Sequence, residues 1–399
     1  AVSNGNSHVC AILDNGDLKC WGEDTYGKLG NGGSNTNANS PYSTNVIDLG
    51  TGRTAVAVSA GSSHTCAILD NGELKCWGND NYGQLGNGGT ITADQTSPPS
   101  TAIDLGTGRT AVAVSTGWYH VCAILDNGDL KCWGRDNNGQ LGDGGSYTNT
   151  NAPSTTAIDL GTGRTAVAVS AGNGHTCAIL DNGDLKCWGN DWNGQLGDGG
   201  TNTDTNAPSS TAIDLGTGRT AVAVSVGRYH SCAILDNGEA KCWGSDQYGQ
   251  LGDGGTTHTS STYTTAPSST AIDFGTGRTA VALASGDYHN CAILDDGDMK
   301  CWGYNSNGQL GIGTSGSNTE EVSPVSVLGS NSWNSSTGVS SGSSGGMTNV
   351  TNATCSVSPA LPTGLSMDSS TCTISGTPSV VTSNTTYTVT ANISGTTYQ

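Results

Sequence analysis

One phrase recurs six times along this 399-residue chain and limits what the chain can fold into. Its first copy is His8-Val-Cys10-Ala-Ile-Leu-Asp-Asn-Gly-Asp-Leu-Lys-Cys20-Trp-Gly22. The others are His64…Cys66…Cys76-Trp77, His120…Cys122…Cys132-Trp133, His175…Cys177…Cys187-Trp188, His230…Cys232…Cys242-Trp243 and His289…Cys291…Cys301-Trp302. Successive histidines are 56, 56, 55, 55 and 59 residues apart. A period of this size means one supersecondary unit repeated, each copy burying its apolar face against the next. Repetition therefore explains most residues before any active site is invoked.

Within the phrase, Cys10 to Cys20 reads as a β-hairpin. A three-residue loop Asp14-Asn15-Gly16, with the glycine left-handed, makes a type I turn plus bulge. That register sets Leu13 opposite Asp17, Ile12 opposite Leu18 and Cys10 opposite Cys20. A two-residue loop would instead set Cys10 against Trp21. In the first register the cysteines form a non-hydrogen-bonded pair, Cα atoms ~4.5 Å apart, near the short end of disulfide geometry. The expected bonds are Cys10–Cys20, Cys66–Cys76, Cys122–Cys132, Cys177–Cys187, Cys232–Cys242 and Cys291–Cys301, with Cys355–Cys372 in the tail. Zinc competes poorly, since each repeat offers one wide pair without the close spacing zinc sites favour. Thr54–Ser59 supplies an apolar inner strand and Asn45–Leu49 an outer one. Helix signals are nearly absent. Four short strands per repeat predict an all-β fold, a β-propeller with one cross-strand disulfide per blade.

Composition narrows the function. Asp plus Glu outnumber Lys plus Arg by 33 to 14, a net charge of -19. Nucleic acid and anionic membranes are excluded as partners, because phosphate binding needs clustered cations. Lys19, Lys75, Lys131, Lys186, Lys241 and Lys300 share one repeat position; Arg53, Arg109, Arg164, Arg219 and Arg278 share another. Paired cysteines point to an oxidising compartment, hence an extracellular or cell-surface protein. No apolar stretch reaches membrane-spanning length, so no membrane insertion is expected. No basic-then-apolar leader opens the chain, which is the expectation for a mature secreted form.

The string Gly61-x-x-His64…Asp70-x-Gly72…Cys76-Trp77-Gly78…Gly83-Gln-Leu-Gly86-x-Gly88 resembles the regulator of chromosome condensation repeat family, over roughly residues 1–330. The resemblance implies a propeller that usually has seven blades, whereas six repeats are present here. A ring of six is the expectation, with a seventh blade supplied in some other way as the alternative. The family's eukaryotic namesake acts on chromatin and a small GTPase, roles that this acidic, disulfide-rich chain puts out of reach. Secreted bacterial members are the closer comparison, one of which inhibits β-lactamases through loops on one face. Residues 1–329 are thus read as propeller and 330–350 as a Ser/Gly-rich linker. Residues 351–399 resemble the immunoglobulin-like modules of bacterial surface proteins. That match rests on Leu361-Pro-Thr-Gly-Leu-Ser, Thr373-Ile-Ser-Gly-Thr-Pro378 and Tyr387-Thr-Val-Thr-Ala391, with Cys372 where glycine is usual. The module is short of a full sandwich of about 100 residues. Its last strand, Thr386–Ile393, is expected to leave an open edge that pairs with an adjacent subunit.

No catalytic, cofactor or metal residue is assigned, and the chain is not read as an enzyme. A ring of metal-binding histidines is outweighed by histidines that satisfy buried polar groups. The Asp-Asn-Gly-Asp carboxylates could suggest a glycosidase, but they recur in every blade and serve as turn residues. Asp80-Asn-Tyr-Gly-Gln and Asp191-Trp-Asn-Gly resemble calcium loops without the terminal glutamate of an EF-hand, so calcium stays open. The informative differences lie between repeats. The dipeptide before each histidine varies, and equivalent positions in a propeller emerge on one face. Trp118, Tyr119, Arg228, Tyr229, Asp287 and Tyr288 are therefore candidate partner-binding residues. A second variable set, Tyr26, Tyr82, Trp192, Tyr248 and Tyr304, is a candidate stacking surface for glycans or protein. The glycosylation sequons at Asn334, Asn349, Asn352, Asn384 and Asn392 all lie beyond the propeller. The first expectation is a non-enzymatic extracellular structural or adhesive protein, a self-assembling surface or filament subunit. The alternatives are a secreted protein-binding propeller of inhibitor or receptor type, and a glycan-binding or glycan-active protein. Partners are then a second copy, another extracellular protein, or glycans.

Overall fold

The computed structural model describes residues 1–328 apart from 90–92, 201, 256–261 and 317–318. Beyond these it describes 353–358, 361, 365–367, 374–376, 388–393 and 396–398. The hairpin forms in the expected register. Leu13 N–H donates to Asp17 O at 2.8 Å, Gly16 takes φ 81°, and Cys10 faces Cys20. All six propeller disulfides join the expected cysteines, with Cα–Cα distances of 4.0–4.1 Å. The expected Cys355–Cys372 bond lies outside the residues whose side chains are described.

Each hairpin gains an inner strand on its first side, giving six all-β blades. Blade 1 comprises Val2–Asn4, His8–Ile12 and Leu18–Gly22, and blade 2 comprises Ala55–Ala60, His64–Leu69 and Leu74–Gly78. Blade 3 is Ala111–Thr116, His120–Leu125 and Leu130–Gly134; blade 4 is Ala166–Ala171, His175–Leu180 and Leu185–Gly189. Blades 5 and 6 carry a fourth strand each. They are Ala221–Val226, His230–Leu235, Ala240–Ser245 and Tyr263–Thr264, then Ala280–Ser285, His289–Leu294, Met299–Gly303 and Glu321–Ser326.

The outer segment differs from expectation. Asn45–Leu49 is not a strand: it touches the sheet through one backbone bond, Ile47 N–H to Leu18 O at 2.9 Å. In blades 1–4 the third strand is otherwise met by single bridges, Gly22–Ala38, Gly78–Gln95, Gly134–Thr150 and Gly189–Thr205. Local side-chain chemistry turns the chain before a ladder can grow. The Asp48 carboxylate accepts the Gly50 N–H two residues on, at 2.9 Å, an Asx turn.

Blades pack by a repeated device. Trp77, Trp133, Trp188, Trp243 and Trp302 are fully buried, and each indole N–H donates to a carbonyl of the preceding blade at 3.0–3.1 Å. Burying about 200 Å² of aromatic surface is worth about 5 kcal/mol before ordering costs. Around the centre, Ser3, Ser59, Ser115, Ser170 and Ser225 each accept an N–H from the next inner strand at 2.8–3.1 Å. Six blades make five such interfaces, each with its own apolar core. Blade 6 and blade 1 each keep one face open. Ile293 is 40% exposed and Leu13 41%, whereas their counterparts Ile68 and Leu69 are 2% and 0%. Six blades is the count expected from sequence, and among the described residues no apolar core cluster joins the last blade to the first.

Residues 329–399 form a second unit. In it Ala353–Ser358 pairs with Thr388–Ile393, which pairs with Thr396–Tyr398; Leu365–Met367 pairs with Ile374–Gly376. The strand expected to end on an open edge is thus the central one, since Thr396–Tyr398 folds back to cover it. Among the described residues, no helix is long and apolar enough to cross a membrane.

Candidate protein-docking face

The six repeat histidines each begin the second strand of a blade, and four of them serve the joints between blades. His8 Nε2 meets Thr65 Oγ1 at 2.8 Å, His120 meets Thr176 at 2.9 Å, His175 meets Ser231 at 2.9 Å and His230 meets Asn290 at 2.9 Å. Burial drives these imidazoles to pKa values of about 4, 3, 3 and 4, so they are neutral. His64 is the exception. Val121 stands where a hydroxyl is needed, and neither ring nitrogen of buried His64 has a partner.

Acidic residues are likewise absorbed by the frame. Asp80 and Asp191, from the calcium-like segments, accept the backbone N–H of Leu85 and Leu196 at 2.9 and 3.0 Å. Burial raises both to about 6. The turn aspartates Asp70, Asp126, Asp181, Asp236 and Asp295 pair with the repeated arginines at 3.2–3.4 Å. The repeated lysines cap carbonyls: Lys75 reaches Leu49 O and Lys131 reaches Leu105 O, both at 3.0 Å. Among the described residues, no group of three His, Cys, Asp or Glu is placed to hold a metal.

The variable positions behave differently. Each residue before a repeat histidine is tied to the residue after Trp-Gly in the same blade. Tyr119 O accepts Arg135 N–H, Tyr229 O accepts Ser245 N–H, and Tyr288 O accepts Tyr304 N–H, all at 2.8–2.9 Å. This backbone link brings the two variable sets onto one face. Gln84 and Gln250 hold Tyr82 and Tyr248 by accepting their N–H groups at 2.9 and 2.8 Å.

The rings then form one continuous network from blade 2 to blade 6. Tyr82 lies 5.0 Å from Tyr119, and Tyr119 lies 6.2 Å from Trp118. Arg228 bridges the next gap, its guanidinium 4.4 Å from Trp118, 5.1 Å from Tyr229 and 5.5 Å from Tyr288. Tyr248 continues to Tyr288 at 5.2 Å and to Tyr304 at 4.8 Å. All of these side chains are half-buried, held by neighbours yet open on one side. Asp287 takes a hydrogen bond from Trp118; burial raises its pKa, which Arg228 and that bond oppose. Arg135 stacks over Tyr82 at 5.4 Å and Tyr119 at 5.7 Å. Sequence reasoning passed over Arg135, although it and Arg228 are the two arginines outside the Gly-Thr-Gly-Arg repeat. Trp192, 70% exposed, and Tyr26 stand outside the ring network. Asn392 lies on the strand Thr388–Ile393, and Asn334, Asn349, Asn352 and Asn384 lie outside the described residues.

These features define a disulfide-stapled propeller with an aromatic face and no catalytic constellation among the described residues. The chain belongs to the RCC1-like domain family, which matches residues 1–349. A second family, described as Putative Ig domain, matches residues 314–399. The Ultraviolet-B receptor UVR8 of Arabidopsis thaliana is 32% identical over 330 residues, which is 82% of this chain and 69% of that protein. The E3 ubiquitin-protein ligase HERC2 of Homo sapiens is 31% identical over 257 residues, 64% of this chain but only 5% of that protein. Human WBSCR16 has the same fold, with TM-score 0.67, 23% identity, and 82% and 80% of the two chains covered. So does yeast RCC1 (Prp20), with TM-score 0.68, 19% identity, and 82% and 74% covered.

Proposed function

We propose that this chain is a non-enzymatic, extracellular protein-binding propeller that docks its partner on the Trp118–Arg228–Tyr229–Tyr288 face. The observation that carries this reading is the continuous aromatic–arginine network across blades 2 to 6. Tyr, Trp and Arg dominate binding energy because they bury large, rigid, amphipathic surface at low entropic cost. Here the rings are held before a partner arrives, which lowers the ordering cost of binding. The family supports the reading in kind: yeast RCC1 was solved bound to Kap60, and binding to Gsp1p and histones is described for it. The extracellular setting rests on six disulfides, which persist in oxidising compartments. The filament or adhesive role expected first from sequence is compatible with the same face, the partner then being a second copy of the chain.

The test is cross-linking mass spectrometry of the native extracellular material, followed by affinity measurement on the partner it identifies. Replacing Trp118 and Tyr229 by alanine removes two anchors at about 2 kcal/mol each, a loss of about a thousandfold. Equal affinity of the double variant and wild type would refute the assignment of this face.

A further inference from the structure

Five of the six hairpin turns carry Asn-Gly at their centre, and Asn15, Asn71, Asn127, Asn182 and Asn237 are all exposed. The sixth turn carries Asp296-Gly297. A glycine after asparagine has no Cβ to keep its nitrogen away from the side-chain Cγ. In every turn the N–H two residues on donates to the side-chain Oδ1 at 3.0–3.2 Å. That donor sits where an oxyanion forms when Cγ is attacked. The turns differ at the amide nitrogen. Nδ2 of Asn15, Asn127 and Asn182 donates to the carboxylates of Asp17, Asp129 and Asp184 at 2.8–2.9 Å. Asn71 and Asn237 are followed instead by Glu73 and Glu239, and among the described residues their Nδ2 atoms have no partner.

A cation stands beside each of these two turns. Arg53 and Arg219 pair with Asp70 and Asp236, the residues just before Asn71 and Asn237, at 3.2 and 3.4 Å. The turn of blade 6 shows what a carboxylate at the asparagine position meets. There Arg278 holds Asp295 at 3.4 Å and Asp296 at 2.8 Å. We propose that Asn71-Gly72 and Asn237-Gly238 are modification sites, which deamidate in the folded chain. Hydroxide takes the proton of the glycine N–H, and that nitrogen bonds to Cγ. The Cγ–Nδ2 bond breaks and ammonia leaves, its third proton drawn from water. Water then opens the cyclic imide, giving aspartate or isoaspartate. The arginine draws the anionic intermediate and then the new carboxylate, as Arg278 draws Asp296. At Asn15, Asn127 and Asn182 a carboxylate already holds Nδ2 and repels an anionic intermediate. The glycine N–H is held by a leucine carbonyl at 2.9–3.1 Å in all five turns, so that bond slows every site alike.

The test incubates the intact, disulfide-bonded chain in mildly alkaline buffer and follows the turn peptides by mass spectrometry, with isoaspartyl methyltransferase labelling for isoaspartate. Asn71 and Asn237 should convert at least about tenfold faster than Asn15, Asn127 and Asn182, the factor that one charge-assisted hydrogen bond sets. Glu73→Asp should slow Asn71 about tenfold, and Asp129→Glu should speed Asn127 about tenfold. In guanidinium the ranking should vanish, because all five sites share the sequence Asp-Asn-Gly followed by an acid. Equal rates at all five sites of the folded protein, or no conversion at Asn71 and Asn237, would overturn the proposal. So would rates indifferent to the two exchanges. The same ranking in guanidinium would also overturn it, by placing the cause in the sequence and not in the fold.

Discussion

Val121→Thr should stabilise the propeller, and Thr176→Val should destabilise it. Four interfaces place a polar group between a histidine and a carbonyl. At the blade 3–4 joint, Thr176 Oγ1 lies 2.9 Å from His120 Nε2 and donates to Gln140 O at 2.9 Å. Thr65 does the same for His8 and Lys28 O, both at 2.8 Å. Val121 interrupts the series and leaves His64 without a partner in a fully buried site. A threonine there would meet both the His64 ring and Gln84 O. Each net hydrogen bond is worth about 0.5–1.5 kcal/mol, against the cost of burying one hydroxyl, so the expected gain is about 1 kcal/mol. The reverse change orphans His120 Nε2 and should cost about 1–3 kcal/mol. Gln140 O keeps the Trp188 indole N–H at 3.0 Å, so a second orphan is not created. The assay is guanidinium unfolding under non-reducing conditions, followed by tryptophan fluorescence, with hydrogen exchange on His64–Leu69 as the local readout. A destabilised Val121→Thr, or a Thr176→Val within about 0.5 kcal/mol of wild type, would refute the reasoning.

Acid should destabilise the propeller between pH 6.5 and 4. His8, His64, His120, His175 and His230 fall from 6.5 to about 4, 3, 3, 3 and 4 through burial. Their stabilisation is complete above pH 6.5 and is lost as pH falls toward those folded values, because the unfolded chain binds protons first. Asp80, Asp136 and Asp191, raised by burial to about 6, act in the opposite sense and regain stability on acidification. Five large histidine shifts exceed three smaller aspartate ones, so melting temperature should drop from pH 7 to 4.5; a rise would contradict the balance. Replacing Cys177 and Cys187 by serine opens a loop of sequence separation 10 and should cost about 2–3 kcal/mol in the entropic account. Denaturant titration of that variant against wild type measures it, and a neutral change would show that the hairpin is held by its neighbours alone.

The sequence by itself determined the blade. The loop Asp14-Asn15-Gly16 fixes the register within eleven residues, so Cys10 must face Cys20 and the disulfide follows from local geometry. It also determined that Trp118, Arg228 and Tyr288 share a face, because a repeat puts equivalent positions on one side. The tertiary structure decided what depends on neighbouring blades. It joined the two variable sets through bonds such as Tyr119 O to Arg135 N–H, and so recruited Arg135, Tyr82, Tyr248 and Tyr304 to one network. It reduced Asn45–Leu49 from a strand to a single hydrogen bond, because the Asp48 turn competes with the ladder. Among the described residues, it also left blades 6 and 1 without the core cluster that joins each other adjacent pair. Register within a hairpin is set by hydrogen bonds a few residues apart. Contacts between blades join residues 36–60 apart in sequence, where no local propensity reports which faces will meet.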